Sequence, residues 1–377
     1  MKKNGFTRIL LVLLTGISLF CLLPCAALAA DTDALYDESG IEDAFDVLDE
    51  QTLSLLESLG LDISDPASLL DITPARVVSA ALSLFTGGLT EPMQKCAIIM
   101  GAVLLFALLD SAAPSVGRSS DTGGMLLMLM LSLLVIAPVS DCVSNVLSAI
   151  RVLSGFTRML IPILASFVAA SGKPLLSASF SAASLGAAEA VSWAVDTFFV
   201  PLVGAYAAIC VVAAVNPVFN LQNIALFFRR IFTVVLGVIS SLFAGVLSIK
   251  SAATASADSL TFKGVKFLVG GLVPVVGGAL SEGLTSVTAA LNAVNQTIGA
   301  LGILVMVLIT LPSVLQVLIW WAALYICSMA ATLTGQTQVA FYLSGVSNVI
   351  VMLNILLLFD AFVFIAAVGI VMRFAGG

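Results

Sequence analysis

From Cys96 onward the chain is a succession of apolar runs of about 20 residues, the length at which an α-helix crosses a bilayer. Such runs fall near 97–114, 124–140, 155–171, 177–195, 198–215, 231–249, 267–284, 299–319 and 348–372, and a further pass or re-entrant piece fits between 312 and 334. Of the 377 residues, 60% are hydrophobic and 10% charged. A soluble domain has roughly 45–50% apolar and about 25% charged residues. The expected fold class is therefore all-α: a polytopic membrane helix bundle with broken Pro/Gly-containing spans, preceded by a small acidic helical extracytoplasmic region.

The net charge of −7 is unevenly spread. Residues 1–30 combine Lys2, Lys3 and Arg8 with an apolar core from Ile9 to Leu23 and a small-residue end at Ala27–Ala30, the pattern of a secretory signal peptide. An uncleaved first span is the alternative. In either case residues 31–94 emerge outside the cytoplasm, and this block carries fourteen Asp/Glu against Arg76 alone. The membrane domain is expected over 95–377.

Within the acidic block, Ile41, Phe45, Leu48, Leu55 and Leu59 recur at helical steps among carboxylates, which predicts an amphipathic helix. A second helix is predicted from a Thr73 N-cap and Pro74 to a stop at Gly87-Gly88. Together they make a hairpin lying on the membrane or a docking surface for a basic partner. Cys96, Cys142, Cys210 and Cys327 are scattered through apolar runs and the chain has no histidine, so neither a disulfide framework nor a zinc site is expected.

The most broken run is KFLVGGLVPVVGGALSEG, with Gly270, Gly271, Pro274, Gly277, Gly278 and Glu282. Proline removes a backbone donor, and paired glycines let helices bend or approach closely. In lipid the freed groups must be met by neighbouring helices or by water in a cavity. Pro162, Pro201, Pro274 and Pro312 are accordingly expected to face protein or a pore, either as kinks in a packed bundle or as unwound gating elements. Small residues at four-residue steps, Ala182, Gly186, Ala190 and Ala194, and Gly237, Ser241 and Gly245, predict close helix contacts. Asp360 is the deepest carboxylate, and it either lines a polar path or pairs with a buried cation. Asp110, Glu189 and Asp196 read as structural.

LIPILASFVAASG at 160–172 is similar to LVPVVGGALSEG at 272–283, and Pro201 aligns with Pro312, which suggests a two-fold repeat of 142–250 and 253–373. With single crossings, the positive-inside rule puts Arg118, Lys173 and Arg229-Arg230 in the cytoplasm, while Lys250, Lys263 and Lys266 conflict with it.

No Walker A loop, GxSxG motif or metal-ligand cluster is present, so catalytic, cofactor and metal sites are not expected. Ser259–Phe267, the following Gly/Pro segment through Glu282 and NQTIGALGILVMVLITLPSVLQVL resemble the stage III sporulation protein AE family. The resemblance covers most of 95–377. It implies a non-enzymatic component of a channel or secretion-like complex in the mother-cell membrane around the forespore, needed for late forespore development. It implies partnership with other stage III sporulation A proteins and, through them, stage II sporulation protein Q, and no nucleic acid. An independent permease for a small solute is the alternative.

Overall fold

The computed structural model describes residues 41–61, 74–112, 120–215 and 277–375, and between 227 and 245 it describes 227–228, 230–239, 241 and 245. The expected signal at 1–30, the start of the second repeat unit at 253, and Gly270, Gly271 and Pro274 lie outside the described residues. Among the described residues all regular structure is helical.

The acidic segment forms α1 (Ile41–Phe45) and α2 (Glu50–Leu59) in place of one amphipathic helix. The division follows from Asp49. Its carboxylate accepts from the Thr52 backbone N–H at 3.3 Å and from the Thr52 hydroxyl, so a new helix starts there. Gly60 ends α2 at φ 75°, a left-handed conformation that suits glycine. Next comes α3 (Pro74–Gly88), with Pro74 at its first position as expected. Beyond Leu89 lies α4 (Thr90–Ala112).

Four long apolar stretches follow, each of sufficient length and composition to cross a membrane. They belong to α5 (Ser120–Ala170), α6 (Pro174–Ala194) continued through a π-helical turn (Val195–Phe199) into α7 (Val200–Val215), α8 (Gly277–Leu333), and α9 (Thr337–Ala375). The runs expected as separate spans at 124–140 and 155–171 are thus two parts of one helix. The intervening residues Asp141, Asn145, Ser148 and Arg151 are polar, but Cys142, Val146, Ala149, Ile150 and Leu153 keep a buried stripe at helical spacing. In the same way 177–195 and 198–215 are joined through the π turn, and 299–319 continues past Pro312 to Leu333.

Helices α5 and α6 form one hairpin, and α8 and α9 another. Both hairpins turn on a left-handed glycine, Gly172 (φ 86°) and Gly335 (φ 80°). Each closes its first helix with paired backbone bonds, Gly172 to Ala169 and Lys173 to Val168, Gly335 to Thr332 and Gln336 to Ala331. A serine crosses each hairpin: Ser177 donates to the Ala165 carbonyl at 2.6 Å and Ser328 to the Ala340 carbonyl at 3.0 Å. Because α5 runs antiparallel to α8, with Leu160 against Gly302 and Asn145 bonded to Gln316, the two hairpins turn at opposite ends of the bundle.

At 1.5 Å per residue, α5 with 51 residues is about 77 Å long and α8 with 57 about 86 Å, against a bilayer core of about 30 Å. These two helices are more than two and a half times as long as the hydrocarbon is thick. The acidic helices dock on the side of the bundle at mid-height. The Phe45 ring meets Phe156 of α5 edge-on at 6.0 Å, and Ile41, Ala44, Leu48, Leu56 and Leu59 join the common core. Gly155 permits this approach, since a Cβ there would fall 2.7 Å from the Val47 side chain. The partner the amphipathic face requires is thus the long-helix bundle.

Candidate functional site

Asp360 of α9 has no exposed surface, and neither carboxylate oxygen has a hydrogen-bond partner. Among the described residues it joins no ion pair, so the alternative of pairing with a buried cation is not met there. Helix α9 pairs with α8 from Met372 beside Gly299 to Ala340 beside Ser328, which brings Asp360 opposite the α8 turn at Thr310. The α5–α8 pairing brings Ile150 to Ser154 of α5 to the same level. Contact of Cys210 with Gly345 brings the π turn there as well, since α7 and α9 are antiparallel.

This level is irregular in two of the four long elements. Pro312 lies inside α8 and leaves the carbonyl of Leu308 without its helical donor. Pro201 follows the π turn after one residue, Val200. Its ring clashes with the carbonyl one turn back, and widening that turn, with Val200 donating to Val195, relieves the clash. On α5 the hydroxyl of Ser154 is buried without a partner. Thr310 meets its own hydroxyl requirement locally, by donating to the carbonyls of Val307 at 2.9 Å and Met306 at 3.1 Å.

A cleft of about 720 Å³ opens at this height between the docked acidic region and the α5–α8 seam. Its walls include Asp49 and Glu50, Glu91 of α4, Asn145 and Ser148 of α5, and Pro312, Ser313 and Gln316 of α8. Asn145 donates to Gln316 at 2.8 Å and accepts through its backbone carbonyl from Ser313 at 3.4 Å, tying the two long helices across the cleft. Lys95 lies 2.6 Å from Glu91 and 5.7 Å from the centre of the Trp320 ring.

The other expected residues are scattered. Gly277 and Gly278 open α8 and Glu282 lies in its second turn, far along the helix from Asp360. Pro312 lines the cleft, but Pro162 and Pro201 have exposed rings. A proline bends a helix away from its own side, so on a helix curved round a core the ring falls on the convex face. The stripe of Ala182, Gly186 and Ala190 also points outward. Helix α6 instead buries Ala188 and its larger residues Leu176, Phe180 and Val191. Gly237, Ser241 and Gly245 are exposed as well. Glu189 pairs with Arg158 of α5 at 3.0 Å on the exposed flank, and Asp196 is exposed in the π turn. Two features have no counterpart in the sequence reading: the Asn145–Gln316 tie and the Cys96–Cys327 contact. Neither has a spacing signal, because each joins residues more than 170 positions apart.

Residues 68–375 match the family described as stage III sporulation protein AE. A relative from Bacillus subtilis (strain 168), named stage III sporulation protein AE, is 26% identical over 170 residues, 45% of this chain and 43% of the relative. The match thus spans less than half of the relative's length. No solved structure matches.

Proposed function

Because the chain belongs to the stage III sporulation protein AE family, we propose that it is a non-enzymatic, multi-pass membrane component of the channel or secretion-like complex linking mother cell and forespore. The observation that carries this reading is the height of the bundle together with the place where its acidic helices dock. Exposed Asp46, Asp49, Glu50 and Glu57 are incompatible with hydrocarbon, so the bilayer ends short of them. Large exposed apolar side chains concentrate beyond that level, at Leu104, Leu105 and Leu108 of α4, Met130, Leu133 and Ile136 of α5, and Ile326, Met329 and Leu333 of α8. That half meets lipid. The other half, with the α5–α6 turn, stands out of the membrane beside the acidic helices.

In this orientation the acidic region lies outside the cytoplasm, in the space between mother cell and forespore. Lys173, in the α5–α6 turn, falls on the outer side. The projecting half supplies a seat for other stage III sporulation A proteins and, through them, for stage II sporulation protein Q. Affinity capture of the tagged chain from sporulating cells is expected to recover these proteins from the mother-cell membrane, and their absence would remove the proposal. The buried Asp360 favours a second reading, an independent permease for a small solute, which requires the isolated protein to move that solute in liposomes.

A further inference from the structure

We infer that Asp360 is a proton-binding site, and that it exchanges its proton with water in the cleft at the α5–α8 seam. The inference does not depend on the sporulation reading. It rests on three observations at one height of the bundle.

First, the carboxyl group is fully buried with both oxygens unpartnered. A carboxylate in such a place lacks both the hydration and the donors that would stabilise its charge. Among the described residues no cation compensates for them: Arg230, two residues before Phe232, which meets Phe199 of the π turn, is exposed. From Gly283 to Leu333, α8 carries no Asp, Glu, Lys or Arg. On α5, Arg151 is exposed, Asp141 is exposed and more than two turns away, and Arg158 is held by Glu189 of α6 on the outer flank. Asp196 of the π turn is exposed; Tyr206 and Cys210 of α7 and Tyr342 of α9 lie at least two turns along the bundle from Asp360. The remaining way to neutralise the group is for it to hold a proton.

Second, water comes close. Ile309, Pro312 and Ser313 line the cleft, and Thr310, on the same turn of α8, lies opposite Asp360. From the α5 side, Ala149 and Val152 line the cleft beside Ile150 and Ser154. The cleft-lining turns of α8 and α5 thus stand at the height of the carboxyl group. Third, the helices at this height are interrupted, because Pro312 breaks the hydrogen bonding of α8 in the cleft wall and the π turn loosens the α6–α7 helix at the same level.

The test is labelling of the full chain in detergent with dicyclohexylcarbodiimide, an apolar reagent that attacks protonated carboxyl groups, followed by peptide mass spectrometry. Asp360 is expected to be labelled at mildly acidic pH, with the yield falling several-fold as the pH rises. Exposed Glu189 and Asp196 report that the reagent is active. Ser148→Trp, which fills the cleft, is expected to slow labelling of Asp360 several-fold while leaving Glu189 unchanged. An unlabelled Asp360 across the pH range, a yield independent of pH, or an unaffected rate in Ser148→Trp would each overturn the inference. Protection by sodium but not potassium at constant pH would overturn the proton assignment in favour of a sodium site.

Discussion

The sulfurs of Cys96 on α4 and Cys327 on α8 lie 3.1 Å apart in the buried core, although 231 residues separate them in the chain. They fix how α4 lies on the long-helix bundle. Mild oxidation of the purified protein with an apolar oxidant is expected to join them, giving a faster-migrating band on a non-reducing gel that Cys96→Ser abolishes. Failure to cross-link in the folded protein would mean that α4 packs elsewhere.

Gly302 of α8 is the seat of Leu160 of α5; a Cβ at this glycine would overlap the leucine methyls. Gly302→Val is expected to cost about 1–3 kcal/mol through overpacking, seen as a lower unfolding temperature in detergent. The matched change Gly186→Val enters open space on α6 and is expected to be close to neutral. Equal effects at the two positions would contradict the assigned faces.

Docking of the acidic helices depends on Phe156 and on the missing side chain of Gly155. Gly155→Leu places a wedge against Val47, where even a Cβ comes within 2.7 Å. The variant is expected to release residues 41–61 to protease while the long helices stay resistant. Phe156→Ala removes the ring that meets Phe45 and is expected to weaken the same contact by about 3–5 kcal/mol. Protection of the segment in both variants would show that it is held by other means.

The orientation is open to a labelling experiment at Ser54, an exposed residue of α2 whose hydroxyl bonds only the local Gln51 carbonyl. A Ser54→Cys protein is expected to react with an impermeant maleimide in intact protoplasts. The four native cysteines among the described residues are buried and are expected to stay silent. Reaction only after lysis would invert the bundle.

What the sequence determined by itself is the fold class. Apolar runs of bilayer length and a block of fourteen acidic residues required an apolar helical bundle with an amphipathic helical appendage. Those conclusions rest on transfer free energies, which depend on composition and local period alone. Continuity and facing were decided only by the tertiary structure. The polar stretch 141–154 has too many polar residues for a lone span, yet it stays helical because its buried stripe matches α8 and its polar face meets the cleft and solvent. The small residues of α6 could serve an inner or an outer face equally well. The competition was settled by Leu176, Phe180 and Val191, which gain more by burial. Asp360 was visible as a costly residue in LLLFDAFVF, but whether it had a partner depended on side chains drawn from α5, α8 and the π turn. No period or spacing along a single chain carries that information, because packing sums over neighbours that are distant in sequence.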